Sequence, residues 1–546
     1  MQRVKKFLDL AGYIWLPVLV AAGLKCALLL SGRIPFNSDE AIVALMARHI
    51  NQGNIPNFFY GQVYMGSMDA ILVALGFRIF GQYIWVIRAV QSILFLGTVA
   101  TTALLGFKLF RSKSIALISG LLIAIPPVNI TLYTTVSLGG YGEMLLIGNL
   151  LLLSGLGIIK AVKEEGFKPD RIFNIGLIAW GLGAGFGFWV IGLSLVYSIP
   201  VAFVIFWEIV KSAKLKLVLK SIAFILAGAI LGSMPWWTFA IGDGSAALIS
   251  ELTGGAIANI NNSSDLFQPL ERFGNMILFG GTVILGLRPP WDVRWLMMPI
   301  LPFILIFWLA VLYFSIKKIT TGKIQSEISI VSLMGVILFA GFIFTPYGND
   351  PSGRYFTPLM VPMALFGADF LVSQFSEKYF LRIGILFFVL SFNLGGTIQS
   401  VLDYPPGITT QFDEITQIDQ RNMDELIVFL EENEIYRGYS NYWVSYPLAF
   451  LSREEIIFVP RLPYHKDFRY TTRDDRYLPY NNLVLAAEKV AYITTNHAAL
   501  NSYLRLQFKD QSITWREKII GDFIVFYDIS RTIHPQDIGL GLTTTP

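Results

Sequence analysis

Long apolar stretches separated by short polar segments fill the first 400 residues of the chain. A helix crosses the hydrocarbon core of a bilayer with roughly 20 apolar residues, and about eleven runs approach that length. They lie at about 8–31, 84–107, 113–128, 143–160, 172–188, 189–208, 220–241, 296–315, 326–345, 356–374 and 382–400. The pattern predicts a mainly α protein, a polytopic transmembrane helical bundle with about eleven spans.

The pattern changes after residue 400, where charged residues become frequent. Short β-rich runs alternate there with amphipathic ones: "EIIFVP", "VAYITTN" and "DFIVFYDI" are typical of strands, and "NMDELIVFLEEN" of a helix. We therefore expect two domains. Residues 1–400 form a transmembrane module whose first external loop is 32–83, and residues 401–546 form a small α/β domain.

The basic residues gather between the apolar runs and predict the orientation of the chain. Six basic segments fall on one side of the predicted membrane, namely "MQRVKK", "KLFRSKS", "KAVKEEGFKPDR", "KSAKLKLVLK", "KKITTGK" and "SEKYFLR". The positive-inside rule makes that side cytoplasmic, provided that 64–80 and 276–288 lie along the outer interface. The first apolar run lacks a small-residue cleavage site, so we expect it to be retained as a helix. The prediction is a multi-pass cell-membrane protein with a cytoplasmic N-terminus and an extracytoplasmic C-terminal domain.

Composition excludes several other classes of protein. With 54% hydrophobic and 15% charged residues and a mean hydropathy of +0.57, the chain is unlike a soluble enzyme. The net charge of +4 is small, and the basic residues form no single stripe along the chain. Both features argue against a nucleic-acid partner. The one cysteine, Cys26, lies in the first apolar run, so the sequence contains neither a disulfide framework nor a cysteine-based zinc site.

Two adjacent carboxylates, Asp39 and Glu40, stand where the chain leaves the first predicted span. They belong to "FNSDEAIVALMARHINQGNIPNFFYGQVYMGSMDA", Phe36 to Ala70, in which "AIVALMARHI" fits a short amphipathic helix on the membrane surface. One interpretation is local, because acidic residues in a first turn stabilise a helix. The other is chemical, because a carboxylate near an apolar phase is costly unless water, a metal or a reaction partner receives it.

The acidic motif of this loop, with "YGQVYMGSMDA" behind it, resembles the first external loop of the GT-C membrane glycosyltransferases. That superfamily includes protein O-mannosyltransferases, the lipid A aminoarabinose transferase and oligosaccharyltransferases. The resemblance extends to the multi-span architecture, to Trp85 and Arg88 at the start of the second span, to a carboxylate in the next external loop and to "GRYFTPL".

The resemblance assigns acidic residues to catalysis and to binding. It implies that Asp39 is the catalytic base, which takes the proton of the acceptor as the acceptor attacks the anomeric carbon of the sugar. Glu40 points elsewhere on a helix and is a second catalytic or acceptor-orienting candidate. Asp69 and Glu143 are candidates for binding the acceptor or a metal. For Glu143 the structural alternative is a helix N-terminal carboxylate, and for Asp69 it is the end of the loop.

The donor in this superfamily is a sugar linked through phosphate to a polyprenyl lipid, so the resemblance implies a cation near the outer face. Arg354, in "NDPSGRYFTPL", fits that role, with Tyr355 beside it supplying a hydroxyl and a ring. Arg288 and Arg294, in "GLRPPWDVRWLM", are further candidates for binding the donor phosphate, or they form a Trp/Arg belt at the interface.

No cofactor is expected, although a divalent metal is possible because some relatives use zinc. His49 is the one histidine near the acidic motif, and one histidine with scattered carboxylates does not indicate a metal site. The expected partners are a polyprenyl-phosphate-sugar donor, membrane lipid and an acceptor that is a glycan, a lipid or a protein.

The sequence thus predicts an integral-membrane glycosyltransferase that works on the extracytoplasmic face with inversion at the sugar. Two alternatives remain. A transporter or flippase also places charges among broken helices, although here the ionisable residues gather on one side. A non-catalytic binder of lipid-linked sugars is the other.

Overall fold

The computed structural model describes residues 2–164, 169–212, 214–253, 267–322, 326–350 and 352–542. Its helices, in chain order, are α1 Gln2–Ser31, α2 Ser38–Asn51, α3 Met68–Phe80, α4 Ile84–Phe110, α5 Lys113–Ala124, α6 Val128–Tyr133, α7 Tyr141–Lys163, α8 Arg171–Val190, α9 Leu195–Ser212, α10 Leu215–Gly232, α11 Met234–Phe239, α12 Ser245–Leu252, α13 Gln268–Asn275, α14 Thr282–Ile284, α15 Leu301–Thr320, α16 Ser326–Phe344, α17 Met360–Gln374, α18 Tyr379–Leu402, α19 Met423–Glu432, α20 Tyr442–Leu451, α21 Pro479–Leu485 and α22 Ala498–Asp510. The strands are β1 Phe58–Phe59, β2 Gln62–Gly66, β3 Arg437–Ser440, β4 Ile457–Pro460, β5 Ala491–Thr494, β6 Arg516–Ile520 and β7 Phe523–Tyr527.

Within the described ranges, 10 helices are long and apolar enough to cross a membrane. They are Ala11–Ser31, Ile84–Phe110, Tyr141–Lys163, Arg171–Val190, Gly192–Ser212, Leu215–Gly232, Leu301–Thr320, Glu327–Phe344, Arg354–Gln374 and Tyr379–Leu402. The remaining predicted run, near 113–128, forms the 12-residue helix α5. At 1.5 Å per residue such a helix is about 18 Å long, against about 30 Å of hydrocarbon. The predicted fold class, a polytopic helical bundle with a small α/β part, is confirmed.

The chain folds into two compact units that do not follow the order of the sequence. The first, the helical unit, comprises Met1–Leu30, Val63–Asp69 and Arg88–Gln399. The second, the mixed unit, comprises Ser31–Gln62, Ala70–Ile87 and Ser400–Pro546. Most of the first predicted external loop therefore belongs to the same unit as the C-terminal residues.

Helices α8 and α10 of the helical unit pack with their backbones in close approach, at glycines spaced four residues apart. A Cβ at Gly185 would stand 2.0 Å from the carbonyl oxygen of Ala229, and one at Gly181 would stand 2.2 Å from that of Ile225. From the other side, a Cβ at Gly228 or Gly232 would stand 2.1 Å from a carbonyl oxygen of α8. Small residues at this spacing let membrane helices approach closely and gain van der Waals contact.

The mixed unit contains a five-stranded sheet in the order β4-β3-β5-β7-β6 within its described residues. β3 pairs in parallel with β4 and β5, whereas β7 pairs antiparallel with β5 and β6. Apolar side chains from the sheet, α19 and α20 form the core, among them Leu426, Val444, Phe458, Ile493 and Val525. The three predicted strands and the predicted helix correspond to β4, β5, β7 and α19.

Helix α2 differs from the predicted surface helix, because it is buried along nearly its whole length. Every residue from Glu40 to Ile50 is buried. Arg48 donates to the carbonyl of Phe450 in α20 at 3.0 Å, and Asn51 donates to the carbonyl of Ala74 in α3 at 3.0 Å. The sequence pattern of α2 is amphipathic, and the prediction placed its polar positions in water. In the structure, neighbouring segments of the mixed unit cover those positions.

Candidate active site

Asp39 lies in the first turn of α2, where capping fixes the backbone. Asn37 is the N-cap residue, and its side-chain oxygen accepts a hydrogen bond from the backbone N–H of Glu40 at 3.0 Å. Over Ile34 to Ile50, all of which the structure describes, Asp39 is the only residue that is not buried. The cap thus presents one carboxylate at the surface of an otherwise covered helix.

Both oxygens of the Asp39 carboxylate accept hydrogen bonds from residues beyond position 400. The hydroxyl of Tyr442 donates to Oδ1 at 2.6 Å, and the hydroxyl of Thr410 donates to Oδ2 at 3.2 Å. Ser38, next to Asp39, donates to the carbonyl of Tyr442. The carboxylate is therefore held in one orientation by side chains that the sequence did not single out.

A second carboxyl group in the mixed unit is electrostatically coupled to Asp39. Burial raises the pKa of Asp474 to about 7; the guanidinium of Arg476 opposes this shift and the charge of Asp39 adds to it. Burial, followed by the charge of Asp39, also raises the pKa of Tyr442. The sequence signal for this cluster was the run "DFRYTTRDDRY", whose aromatic and arginine residues are candidates for meeting a polysaccharide or lipid-linked acceptor, or are ordinary core and interface residues.

Glu40 and His49 occupy interior positions on the same helix. Glu40 is fully buried, so it does not share the partly open position of Asp39. His49 places Nδ1 2.9 Å from the hydroxyl of Tyr60 and Nε2 2.9 Å from Oε1 of Glu454. Burial alone would raise the pKa of Glu454, but hydrogen bonds from His49 and Tyr480 and the charges of His49 and Arg48 lower it to about 2.

No set of three His, Cys, Asp or Glu side chains converges closely enough to hold a metal ion among the residues that the structure describes. The ring nitrogens of His49 are engaged by Tyr60 and Glu454. The residues present do not fit a metal site, and no metal enters the chemistry derived below.

Asp69 and Glu143 meet in the helical unit through one glutamine. Gln91 donates from Nε2 to Asp69 at 2.7 Å and to Glu143 at 2.9 Å. The second oxygen of Asp69 accepts from the hydroxyl of Ser137 at 2.6 Å and from the backbone N–H of Gly139 at 3.1 Å. Burial raises the pKa of Asp69, while these hydrogen bonds oppose the shift. The pair is buried and joins the start of α3 to the loop before α7.

Arg354 begins a short 3₁₀ segment, Arg354–Leu359, that leads into α17. The residue before it, Gly353, has φ +90°, and its carbonyl accepts a hydrogen bond from Asn129 at 3.3 Å. The guanidinium pairs with Asp350 and lies 4.9 Å from the ring centroid of Tyr355. Left-handed backbone at the glycine and the tie to α6 together fix where the guanidinium points.

The surroundings of Arg354 contain buried polar atoms without protein partners. Within the described part of the chain they include Nε of Arg354 and the hydroxyls of Tyr355 and Tyr141. Tyr64, Tyr141 and Tyr355 all lie close enough to the guanidinium to interact with its charge. Buried donors without acceptors are costly, so this cluster fits an anionic or polar ligand.

An apolar cavity of about 330 Å³ adjoins this cluster, and Tyr64 and Tyr355 belong to its wall. The rest of its lining is mostly aliphatic and aromatic, and includes Phe188, Ile191, Leu195, Val196, Ile199, Trp236, Leu248, Ile337, Leu338 and Phe342. The helical unit thus combines an apolar cavity with a polar edge. This combination suits an amphiphilic ligand with an anionic head group.

The other two predicted phosphate ligands differ in how far they are engaged. Arg288 is buried and donates to the hydroxyl of Thr282 at 3.0 Å and to the carbonyls of Phe279, Pro289 and Asp292 at 3.1 to 3.2 Å. Arg294 is exposed and lies 3.8 Å from Asp292. Arg288 therefore holds its own loop together, and Arg294 lies at the surface of that loop.

Comparison with known proteins finds similarity of structure only, since no family model and no curated protein sequence matches the chain. ArnT from Cupriavidus metallidurans bound to undecaprenyl phosphate has a TM-score of 0.58 at 12% identity, over 94% of this chain and 98% of that one. The apo state of the same protein gives 0.56 at 13% identity, with the same coverage. The Archaeoglobus fulgidus oligosaccharyltransferase in the apo form gives 0.50 at 12% identity, over 89% of this chain and 69% of that one. At such identities the similarity establishes the fold, which agrees with the resemblance seen in the sequence: this multi-pass membrane protein has the GT-C fold of ArnT and the oligosaccharyltransferases.

Proposed function

We propose that this chain is an integral-membrane glycosyltransferase that transfers a sugar from a polyprenyl-phosphate-linked donor to an acceptor outside the cytoplasm. One observation carries the proposal: Asp39 is the partly open carboxylate of a capped, buried helix, and both of its oxygens are held by hydroxyl donors. A carboxylate that is fixed in place and reachable from outside is suited to act as a general base.

The donor site is proposed for the helical unit. The apolar cavity accommodates part of the polyprenyl chain, and Arg354 with Tyr355 at its polar edge binds the phosphate. A guanidinium holds phosphate oxygens in a bidentate pair and stabilises the negative charge that develops on a leaving phosphate. That ArnT has been observed with undecaprenyl phosphate supports a ligand of this class.

The reaction follows from these two roles. Asp39 takes the proton of the acceptor's nucleophilic group as that group forms a bond with the anomeric carbon. The bond between the anomeric carbon and the phosphate oxygen breaks, and its electron pair leaves on the lipid phosphate, whose charge Arg354 stabilises. Attack on the side opposite the leaving group inverts the anomeric configuration. Glu40 is buried and supports the start of the helix, while Asp69 and Glu143 are retained as candidates for shaping the acceptor side.

The proposal includes the topology. The N-terminus is cytoplasmic, since the basic segments then all lie inside. The C-terminal α/β domain, 401–546, is extracytoplasmic together with the first loop, and the membrane module is 1–400. An external acceptor, whether glycan, lipid or protein, meets the enzyme on that side.

Replacing one oxygen of the base tests the function. Asp39→Asn should reduce sugar transfer by at least about 1,000-fold while the protein still folds and binds donor, because the amide cannot accept the proton. Mass spectrometry of surface glycans and lipid-linked sugars compares cells with the wild type, the variant and no protein. In the variant the glycan should disappear and the lipid-linked donor should accumulate.

The matched control is Asp419→Asn, which changes another carboxylate of the mixed unit that pairs with Arg421 and leaves Asp39 untouched. Its glycans should match those of the wild type. Full transfer by Asp39→Asn would refute the proposal and favour a transporter or a binder of lipid-linked sugars, because neither needs a base.

A further inference from the structure

The hydrogen bonds to Asp39 come from far along the chain. Thr410 and Tyr442 are 371 and 403 residues away from it in sequence, yet all three belong to the mixed unit. The general-base role alone does not require either contact, because a carboxylate in water is ionised without help at neutral pH. A reason for the two contacts has to be sought in orientation.

We propose that Tyr442 and Thr410 are positioning residues for the transfer reaction, which hold the Asp39 carboxylate in one orientation, aimed at the acceptor. This inference rests on the proposed function, since it deepens the role of Asp39 as the base. It gives the segment after residue 400 a part in the chemistry.

Tyr442 is itself held in place from several directions. Asn441 caps α20 by accepting from the backbone N–H of Trp443 at 3.0 Å, and Ser38 donates to the carbonyl of Tyr442. The phenol ring packs edge-on against Trp443 at 5.0 Å, and the guanidinium of Arg476 lies 5.5 Å from its centroid. Because these contacts restrict the ring, its hydroxyl stays at one position. A hydroxyl at a fixed position orients the group to which it donates.

Thr410 has its proton directed by a third side chain. Nδ2 of Asn37 donates to the hydroxyl of Thr410 at 3.0 Å, so that oxygen is an acceptor there and its single proton is left for Asp39. The other end of the Asn37 amide accepts from the backbone N–H of Glu40. The chain of donors therefore runs in one direction, from the helix cap through Thr410 to the carboxylate.

The two hydroxyls use one acceptor position on each carboxylate oxygen. A carboxylate offers about four such positions, so others remain for the proton of the acceptor. The other titratable groups that act on Asp39 or its phenol partner are Asp474, Tyr464, Arg476 and, on the same helix as Tyr442, Tyr446.

The test compares two tyrosines of the same helix. Tyr442→Phe removes the hydroxyl on Asp39, whereas Tyr446→Phe removes a buried hydroxyl one turn further on that donates to the carbonyl of Asp474 at 3.0 Å. With a labelled undecaprenyl-phosphate sugar as donor, in proteoliposomes, we expect kcat of Tyr442→Phe to fall about 10-fold to 100-fold, the effect of one hydrogen bond to a charged group. The donor KM should not change, and kcat of Tyr446→Phe should stay near that of the wild type.

Two further measurements separate positioning from structural support. The first is the split between the two kinetic constants of Tyr442→Phe, in which kcat should fall while the donor KM stays at the wild-type value. Thr410→Val should lower kcat in the same way, and Thr410→Ser, which keeps the hydroxyl, should restore it. The threonine pair decides the matter if Tyr442→Phe does not fold.

Each failure points to a different cause. Equal kcat for Tyr442→Phe and Tyr446→Phe, with Asp39→Asn inactive, would overturn the positioning role and leave the proposed function standing. A loss in Thr410→Val that Thr410→Ser does not restore would also overturn it. An active Asp39→Asn would instead remove the proposed function, and the positioning role with it.

Discussion

Asp39 and Glu40 are chemically similar neighbours whose surroundings give them different roles. Asp39 is partly open and bound by two hydroxyls, whereas Glu40 is fully buried. Successive residues of a helix point about 100° apart, so one turn presents one side chain outward and the next inward. At this scale the environment, more than the residue type, decides which acid is available for proton transfer.

Arg354 carries the prediction for donor binding. Arg354→Gln removes the charge that the unpartnered tyrosine hydroxyls surround, so the KM for a labelled undecaprenyl-phosphate sugar should rise at least about 10-fold. Arg294→Gln is the matched control, because Arg294 is 45% exposed and lies beside Asp292 on a surface loop. A KM that rises equally in both variants would point to general surface charge and away from a phosphate site.

Asp474 carries a prediction about pH. Its pKa is raised to about 7, so the folded state favours the protonated carboxyl. The resulting stabilisation is complete below the ordinary value of 3.8 and is lost as the pH rises through about 7. Asp474→Asn has no such dependence. The melting temperature in detergent should be measured for both proteins at pH 5 and at pH 8. The difference, variant minus wild type, should be larger at pH 8 than at pH 5.

The sign of this difference is the test. A wild type that gains stability over Asp474→Asn on going from pH 5 to pH 8 would mean that the ionised carboxylate is favoured, and that burial does not dominate at this position. A constant difference would mean that the carboxyl titrates as it does in the unfolded chain.

Helices α8 and α10 show how elements are matched in the bilayer. Both are apolar over most of their length, so hydrophobicity alone gives little preference for one packing face between them. The preference comes from shape: four glycines let each backbone approach the carbonyls of the other helix. The sequence contains the spacing, but the spacing does not say which helix is the partner.

Gly185 provides the test at this scale. The Cβ of Gly185→Ala would stand 2.0 Å from the carbonyl oxygen of Ala229, so the helices must separate and stability should fall by about 1–3 kcal/mol. Gly176→Ala is the matched control on the same helix, since its Cβ meets nothing within 4 Å. It should be neutral or slightly stabilising, because alanine favours helix. Thermal unfolding in detergent measures both, and equal melting temperatures would contradict the close packing.

At the scale of the whole molecule, the chain folds out of sequence order. Residues 31–62 and 70–87 belong to the same unit as residues 400–546, although more than 300 residues of helical unit separate them in the chain. A change in charge frequency predicts a domain boundary near residue 400, and the last segment of the mixed unit begins at Ser400. The composition of the first loop did not indicate that most of it belongs to the mixed unit. A polar loop between two apolar runs has the same composition whichever unit it joins.

The sequence by itself determined the class of the molecule. Apolar length predicted the membrane helices, since the thickness of a bilayer fixes how many residues a span needs, and α5 shows the limit of that rule. Short β-rich runs predicted β4, β5 and β7, but not β3, whose four residues include a glycine, or β6, which is an exposed edge strand. These are local properties, and a linear pattern records them.

Only the tertiary structure determined which residues bind the Asp39 carboxylate. Thr410 and Tyr442 are ordinary polar and aromatic residues, and their role depends on contacts across some 400 positions that no local pattern encodes. The same is true of Arg288, a predicted phosphate ligand, whose hydrogen bonds to the carbonyls of its own loop no local pattern indicated. The residue type determines the chemistry of a side chain, but packing between distant segments determines which groups it contacts.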